Sequence, residues 1–174
     1  QVVLLGAGSN MNEDGTRTVD LARPDDVAQQ LQAVLAAGGP WRGVVHCWSL
    51  DVEPQASLDM IQTRTCDSTV AVVQALAQTD TPAPPRLWLV TRGVQAITPA
   101  EVAIGQAPLW GLGRTIRYEH PELRCTLIDL DADQVDVEAL GDELRSDSPE
   151  DQVALRAGER YAAHLSLATA STTA

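Results

Sequence analysis

A glycine pair, one strand histidine, two strand-end carboxylates and three scattered cysteines are the residues here whose types and spacing invite a chemical reading. Gly6 and Gly8 follow the apolar run Val2-Val3-Leu4-Leu5, as the glycines of a nucleotide-binding turn follow a strand so that the backbone can approach a pyrophosphate at a helix N-terminus. Met11 stands where the third glycine of such a turn belongs. The polar stretch from Gly6 to Gly15 has no amphipathic helix behind it, so a plain turn is expected. His46, inside Gly43-Val44-Val45-His46-Cys47-Trp48, reads as a hydrogen-bonded core residue without a catalytic role. Asp129 and Asp131 close an apolar strand where α/β ligand sites often lie. A carboxylate pair alone lacks the other groups that acid/base or metal chemistry needs, and solvated strand-end charges are the expectation. Cys47, Cys66 and Cys125 are too widely spaced for a zinc or redox pair, and His46 and His120 are not at ligand spacing. Free, buried thiols and no metal are expected.

The cationic side chains narrow the chemistry further. All 12 basic residues are arginine, which removes every lysine-dependent reaction: the phosphate-loop lysine, a pyridoxal Schiff base, and a tyrosine–lysine proton-transfer pair. A net charge of −12 argues against a sequence-independent hold on nucleic acid or anionic lipid, so protein partners are expected. The acidic run from Asp129 to Glu150 reads as a solvated face. No apolar stretch approaches the roughly 20 residues that span a bilayer, and the first residues lack a basic start and a small-residue cleavage site; a soluble, cytoplasmic protein is expected. The chain opens directly on an apolar run, which suggests a domain whose natural start lies upstream.

The elements that must position these groups alternate. Val2 to Leu5, Gly43 to Trp48, Arg86 to Thr91 and Arg124 to Leu130 are short apolar runs of strand character. Helices are expected from Pro24 to Gly38, from Ser57 to Gln78, from about Glu101 to Glu119, and around Val135 to Leu144. Thr98-Pro99-Ala100-Glu101 has the pattern of a capping box for the third helix. Gln152 to Arg156 and Arg160 to Leu165 read as a hairpin across Ala157-Gly158-Glu159. Residues 1–166 are read as one α/β domain, a mostly parallel sheet with helices on both faces, and 167–174 as a linker.

The most specific segment runs from Gln106 to Leu123. Leu109, Leu112 and Ile116 can form one apolar seam beside Trp110, and Gly111 and Gly113 allow another element to approach closely. With Leu127-Ile128-Asp129-Leu130 and Val153-Ala154-Leu155-Arg156, this segment resembles the structural subdomain of the ketoreductase region of bacterial type I polyketide synthases, a relative of the short-chain dehydrogenases/reductases. The resemblance spans most of the chain and implies a truncated Rossmann-like, doubly wound fold. It implies a pseudo-ketoreductase: a non-catalytic scaffold packed on the catalytic subdomain that binds NADPH and reduces a β-keto group during polyketide assembly. On that resemblance the chain binds no cofactor of its own, and NADPH belongs to the catalytic subdomain of the parent multienzyme. Its partners are that subdomain and neighbouring synthase domains, including an inserted enoylreductase in some modules.

In the register of the resemblance, Gln106 takes the place of the catalytic lysine. Val102 takes that of the tyrosine and has no acidic hydrogen to deliver. Trp48 and Ser49 occupy a turn that in active reductases is a small Ala-Gly pair beside the cofactor, and Val19-Asp20-Leu21 is similar to the segment whose Asp sits near the adenine. The residues expected to pack against the partner are Leu109, Trp110, Leu112 and Ile116. The rival readings are a complete NADPH reductase, which the absent lysine contradicts, and a free-standing nucleotide- or acyl-binding α/β module.

Overall fold

The computed structural model describes residues 2–8, 17–79, 84–97 and 102–167. The elements are β1 (Leu5–Ala7), β2 (Arg17–Val19), α1 (Pro24–Ala37), β3 (Gly43–His46), α2 (Leu58–Gln62), α3 (Ser68–Ala77), β4 (Arg86–Arg92), α4 (Pro108–Glu119), β5 (Thr126–Leu130), α5 (Val137–Arg145), β6 (Gln152–Arg156) and β7 (Glu159–Ala162). Strands β3 to β7 form one sheet in sequential order, parallel except for the β6–β7 hairpin, and β1 pairs with β2 in a separate parallel ribbon. This is the Rossmann-like architecture of a mostly parallel sheet flanked by helices. β4 and β5 are buried along almost their whole length, with apolar runs at Leu87-Trp88-Leu89-Val90 and Leu127-Ile128, because a central parallel strand is covered on both faces.

Two apolar clusters hold the layers. On one face α1, α3 and α4 pack through Val27, Leu31, Val72, Leu76, Leu109 and Ile116 against Leu87, Leu89 and Leu127. On the other, Trp88, Val90, Ile128 and Val153 meet Ala139, Leu140 and Leu144 of α5. Gly113 permits the close approach of α4 to β5: an added Cβ would stand 2.6 Å from Leu127 Cδ2. Gly111 faces open space. Arg42 donates to the carbonyls of Leu144 and Arg145, and Arg86 to that of Ser146, so two arginines at the starts of β3 and β4 neutralise the negative end of α5.

Several expected boundaries move. The first strand is Leu5–Ala7, so Gly6 lies in a strand, and β2, with its single fully buried residue Val19, is a strand the sequence reading missed. The helix expected from about Glu101 begins at Pro108, after a 3₁₀ turn at Ile104–Gln106, because proline is suited to the first turn of a helix and not to its interior. The helix read across Ser57 to Gln78 is α2 and α3 joined by a π turn at Thr63–Asp67. The hairpin turns at Ala157-Gly158, both with positive φ, and its second strand ends at Ala162. The Thr98-to-Glu101 box, Met11 and most of the proposed linker lie outside the described residues.

Candidate functional site

Ligands of open α/β sheets bind beyond the carboxyl ends of the strands, where the chain diverges in two directions. Here the ends to consider are those of β1, which pairs with β2, and of β3, which begins the five-stranded sheet. The glycine turn at the end of β1 is committed to the fold: the Gly8 N–H donates to the Val19 carbonyl at 2.9 Å. Trp48, at the end of β3, packs against the main core and its indole N–H donates to the Leu5 carbonyl at 3.2 Å, so the indole bridges the two strands. Ser49 is fully buried and donates to the Val90 carbonyl. Asp20 shapes the turn into α1, accepting from the Ala22 N–H while its own N–H donates to the Asp26 carboxylate.

His46 is buried as expected, and its hydrogen bonds define its tautomer. The Ser68 hydroxyl donates to the Arg64 carbonyl and the Thr69 hydroxyl to the Thr65 carbonyl, so neither proton is free for the ring. Nε2, at 2.8 Å from Ser68 Oγ and 3.2 Å from Thr69 Oγ1, is therefore the donor. Nδ1 has no partner among the described residues. Burial of the ring, which disfavours its charged form, holds its pKa down to about 4.

Asp129 overturns the expectation of a solvated strand-end charge. It is fully buried and accepts from Thr91 Oγ1, from the N–H groups of Val94 and Gln95, and from Arg156 at 2.5 Å. Arg156, also buried, donates to the Asp129 and Gln95 carbonyls. Glu143 is a second exception in the acidic run, buried and paired with Arg160 at 2.6 Å. Asp131 is part exposed, and its carboxyl is held below the usual range, first by the Asp133 N–H. Of the cysteines only Cys125 is buried, which pushes its thiol up to about 12; Cys47 is exposed and Cys66 half-buried, against the expectation of buried thiols.

Gln106 is buried and its side-chain oxygen accepts the Arg92 N–H at 3.0 Å, while Val102, half-buried, precedes α4 and lies outside any helix. Leu109, Trp110 and Ile116 are buried in this chain's own core, with the Trp110 indole donating to Thr91, and only Leu112 of the four expected packing residues is part exposed. As a docking surface for a partner, that apolar seam is therefore already occupied.

The polyketide synthase extender module SpnB Rossmann-fold domain family matches residues 8–165. The chain belongs to this family. This polyketide synthase domain is 33% identical over 165 residues to a phenolphthiocerol/phthiocerol polyketide synthase of Mycobacterium tuberculosis, covering 91% of the chain and 7% of that protein. It is 36% identical over 138 residues to the pikromycin polyketide synthase component PikAII of Streptomyces venezuelae, covering 77% of the chain and 4% of that protein. The first ketoreductase of the tylosin polyketide synthase superposes with a TM-score of 0.66 at 31% identity, over 87% of this chain and 33% of that one. The domain thus spans less than a tenth of those two synthases. No helix among the described residues is long and apolar enough to cross a membrane.

Proposed function

We propose that the domain is the non-catalytic half of a polyketide synthase ketoreductase region, a scaffold that holds and stabilises the NADPH-dependent β-ketoreductase half of its module. The observation that carries this reading is the use of Gln106 as a backbone anchor: where the resemblance expects a cationic proton-relay residue, a buried amide is bound to the Arg92 N–H. Val102 supplies no exchangeable proton, and the Trp48 indole stands across the crevice where a dinucleotide would bind. The scaffold needs an outward face, and Leu58, Ile104 and Tyr118, at 82%, 78% and 90% exposure, are the large apolar groups that α2, the turn before α4, and α4 itself leave open for the catalytic half.

The test measures NADPH binding and hydride transfer to a β-keto thioester with the 174-residue chain alone and within its native module. Activity and saturable NADPH binding confined to the module are expected; saturable binding by the chain alone would favour a nucleotide-binding module instead. Tyr118→Arg, which touches no core residue, should lower ketoreductase stability in the module while leaving the isolated chain's unfolding midpoint unchanged.

A further inference from the structure

Three arginines stand at the starts of three adjacent strands. Arg42 precedes β3, Arg86 opens β4, and Arg124 lies two residues before Thr126, the register partner of Trp88 in β5. In a chain of net charge −12 this corner is cationic. Its middle member is buried: Arg86 is 7% exposed, and its guanidinium carbon lies 5.1 Å from the ring centroid of Trp88, itself 2% exposed. Arg86 Nη1 donates to the Ser146 carbonyl and Nη2 to the Thr126 hydroxyl, both neutral acceptors. Arg86 Nε and Trp88 Nε1 have no acceptor among the described residues. No carboxylate among those residues pairs with Arg86 either: both oxygens of Glu143 are held by Arg160, and Asp147 stands 3.6 Å from Arg42. Burial, and after it the charge of Arg124, push the Arg86 guanidinium below its ordinary value. A buried cation with neutral partners and an unused donor is a costly arrangement.

We propose that Arg86 Nε and Trp88 Nε1 together hold a small monovalent inorganic anion of the chloride class, in the field of Arg42 and Arg124. The surroundings select an anion over a water molecule, because the acceptors that could receive a water's protons are already engaged. The carbonyls of Asp142 and Glu143 accept the Ser146 N–H, those of Leu144 and Arg145 accept from Arg42, and that of Ser146 accepts from Arg86. The Thr126 hydroxyl accepts from Arg86 and donates to the Arg124 carbonyl. Gly43, opposite Arg86 in the register, brings no side chain to the corner. A water would accept two hydrogen bonds and place its own protons poorly. An ion that only accepts needs no such partner and supplies the missing negative charge. A single charge follows from the carbonyl end of α5, which already compensates part of Arg86 and would repel a second negative charge.

Crystals of the 174-residue chain soaked in sodium bromide test the site directly through the anomalous signal of bromine. A peak within hydrogen-bond reach of Arg86 Nε and Trp88 Nε1 is expected; its absence, or a water in that position, overturns the proposal. Urea unfolding in sodium chloride and in sodium gluconate at equal ionic strength reads the same site in solution. A ligand held by the folded state alone raises the midpoint saturably, and gluconate is too large for a buried corner. Trp88→Phe keeps an aromatic ring in place and removes its donor, and should weaken the apparent chloride affinity roughly 10-fold. Arg23→Gln, at an exposed arginine before α1, should leave that affinity unchanged. A bromide peak without chloride dependence of the midpoint would mean an adventitious ion only and overturns the proposal, as does equal chloride dependence in the wild type and Trp88→Phe.

Discussion

Two buried polar clusters sit at the carboxyl ends of strands in one sheet, and they are completed to different degrees. At the end of β5, the Asp129 carboxylate is met by Thr91, two backbone N–H groups and Arg156, while Arg156 also donates to the carbonyls of Asp129, Leu155 and Gln95. At the end of β3, His46 has its Nε2–H shared between two hydroxyls and its Nδ1 facing nothing among the described residues. Charge is tolerated in the first place because carboxylate and guanidinium are paired with each other and each has further hydrogen-bond partners. In the second, only a neutral ring is tolerated. The difference teaches that β5 carries a clamp, which fixes the loop following β4, whereas β3 carries a packed group whose fit depends on pH.

The comparison is broken most forcefully at the clamp. Arg156→Met leaves the Asp129 carboxylate buried without its cation and should cost ~3–5 kcal/mol in urea unfolding. Asp129→Leu combined with Arg156→Met should recover a large part of that loss, because the apolar pair leaves no buried charge; a double variant as unstable as the single would show the clamp to be valued for its hydrogen bonds to Val94 and Gln95.

Acid probes the other cluster. Folded His46 takes a proton only near pH 4, and the unfolded chain does so near the ordinary value of 6.5. Between those values the unfolded state binds more protons, so stability is complete above pH 6.5 and falls as the pH drops toward 4, by ~3 kcal/mol from this group. The measurement is the difference between the wild type and His46→Asn at about pH 7 and about pH 4.5, which cancels the contribution of other groups. A difference that does not change with pH would show that the ring is hydrated or partnered.

The smallest effect is expected from Ser68→Ala, which removes one of two acceptors for Nε2–H and should cost ~1 kcal/mol or less. Thr69→Ala added to it should cost more than the sum, since the buried donor then has no acceptor at all. Additive losses would mean that the two hydroxyls act through their helix carbonyls rather than through His46.

The central strands were legible because burial on both faces writes them as continuous apolar runs, as in Leu87-Trp88-Leu89-Val90 and Leu127-Ile128. The start of α4 was misplaced although its signal was present: Pro108 marks a first helical position, and the reading carried the helix through it. β2 was not legible, since Arg17-Thr18-Val19 is short, carries a charge and owes its pairing to a strand that is not adjacent to it in sequence. Asp129 was misread for a physical reason. Its partner Arg156 is 27 residues away, and local pattern cannot report a charge pair made by strand order. For the same reason Trp48 was legible as a bulky residue in a small turn, while its bond to Leu5 was not.

The hold of Arg42 and Arg86 on the end of α5 bears on how such domains tolerate recombination. Both arginines address main-chain carbonyls, which every sequence presents alike. A chimera joining the first strands of one synthase to the last helix of another keeps these ties whatever side chains that helix brings, provided it ends at the same place. One residue inserted into or deleted from α5 turns its terminal carbonyls by roughly 100° about the helix axis and leaves both cations without their acceptors. In this corner of the domain, length is inherited more strictly than sequence.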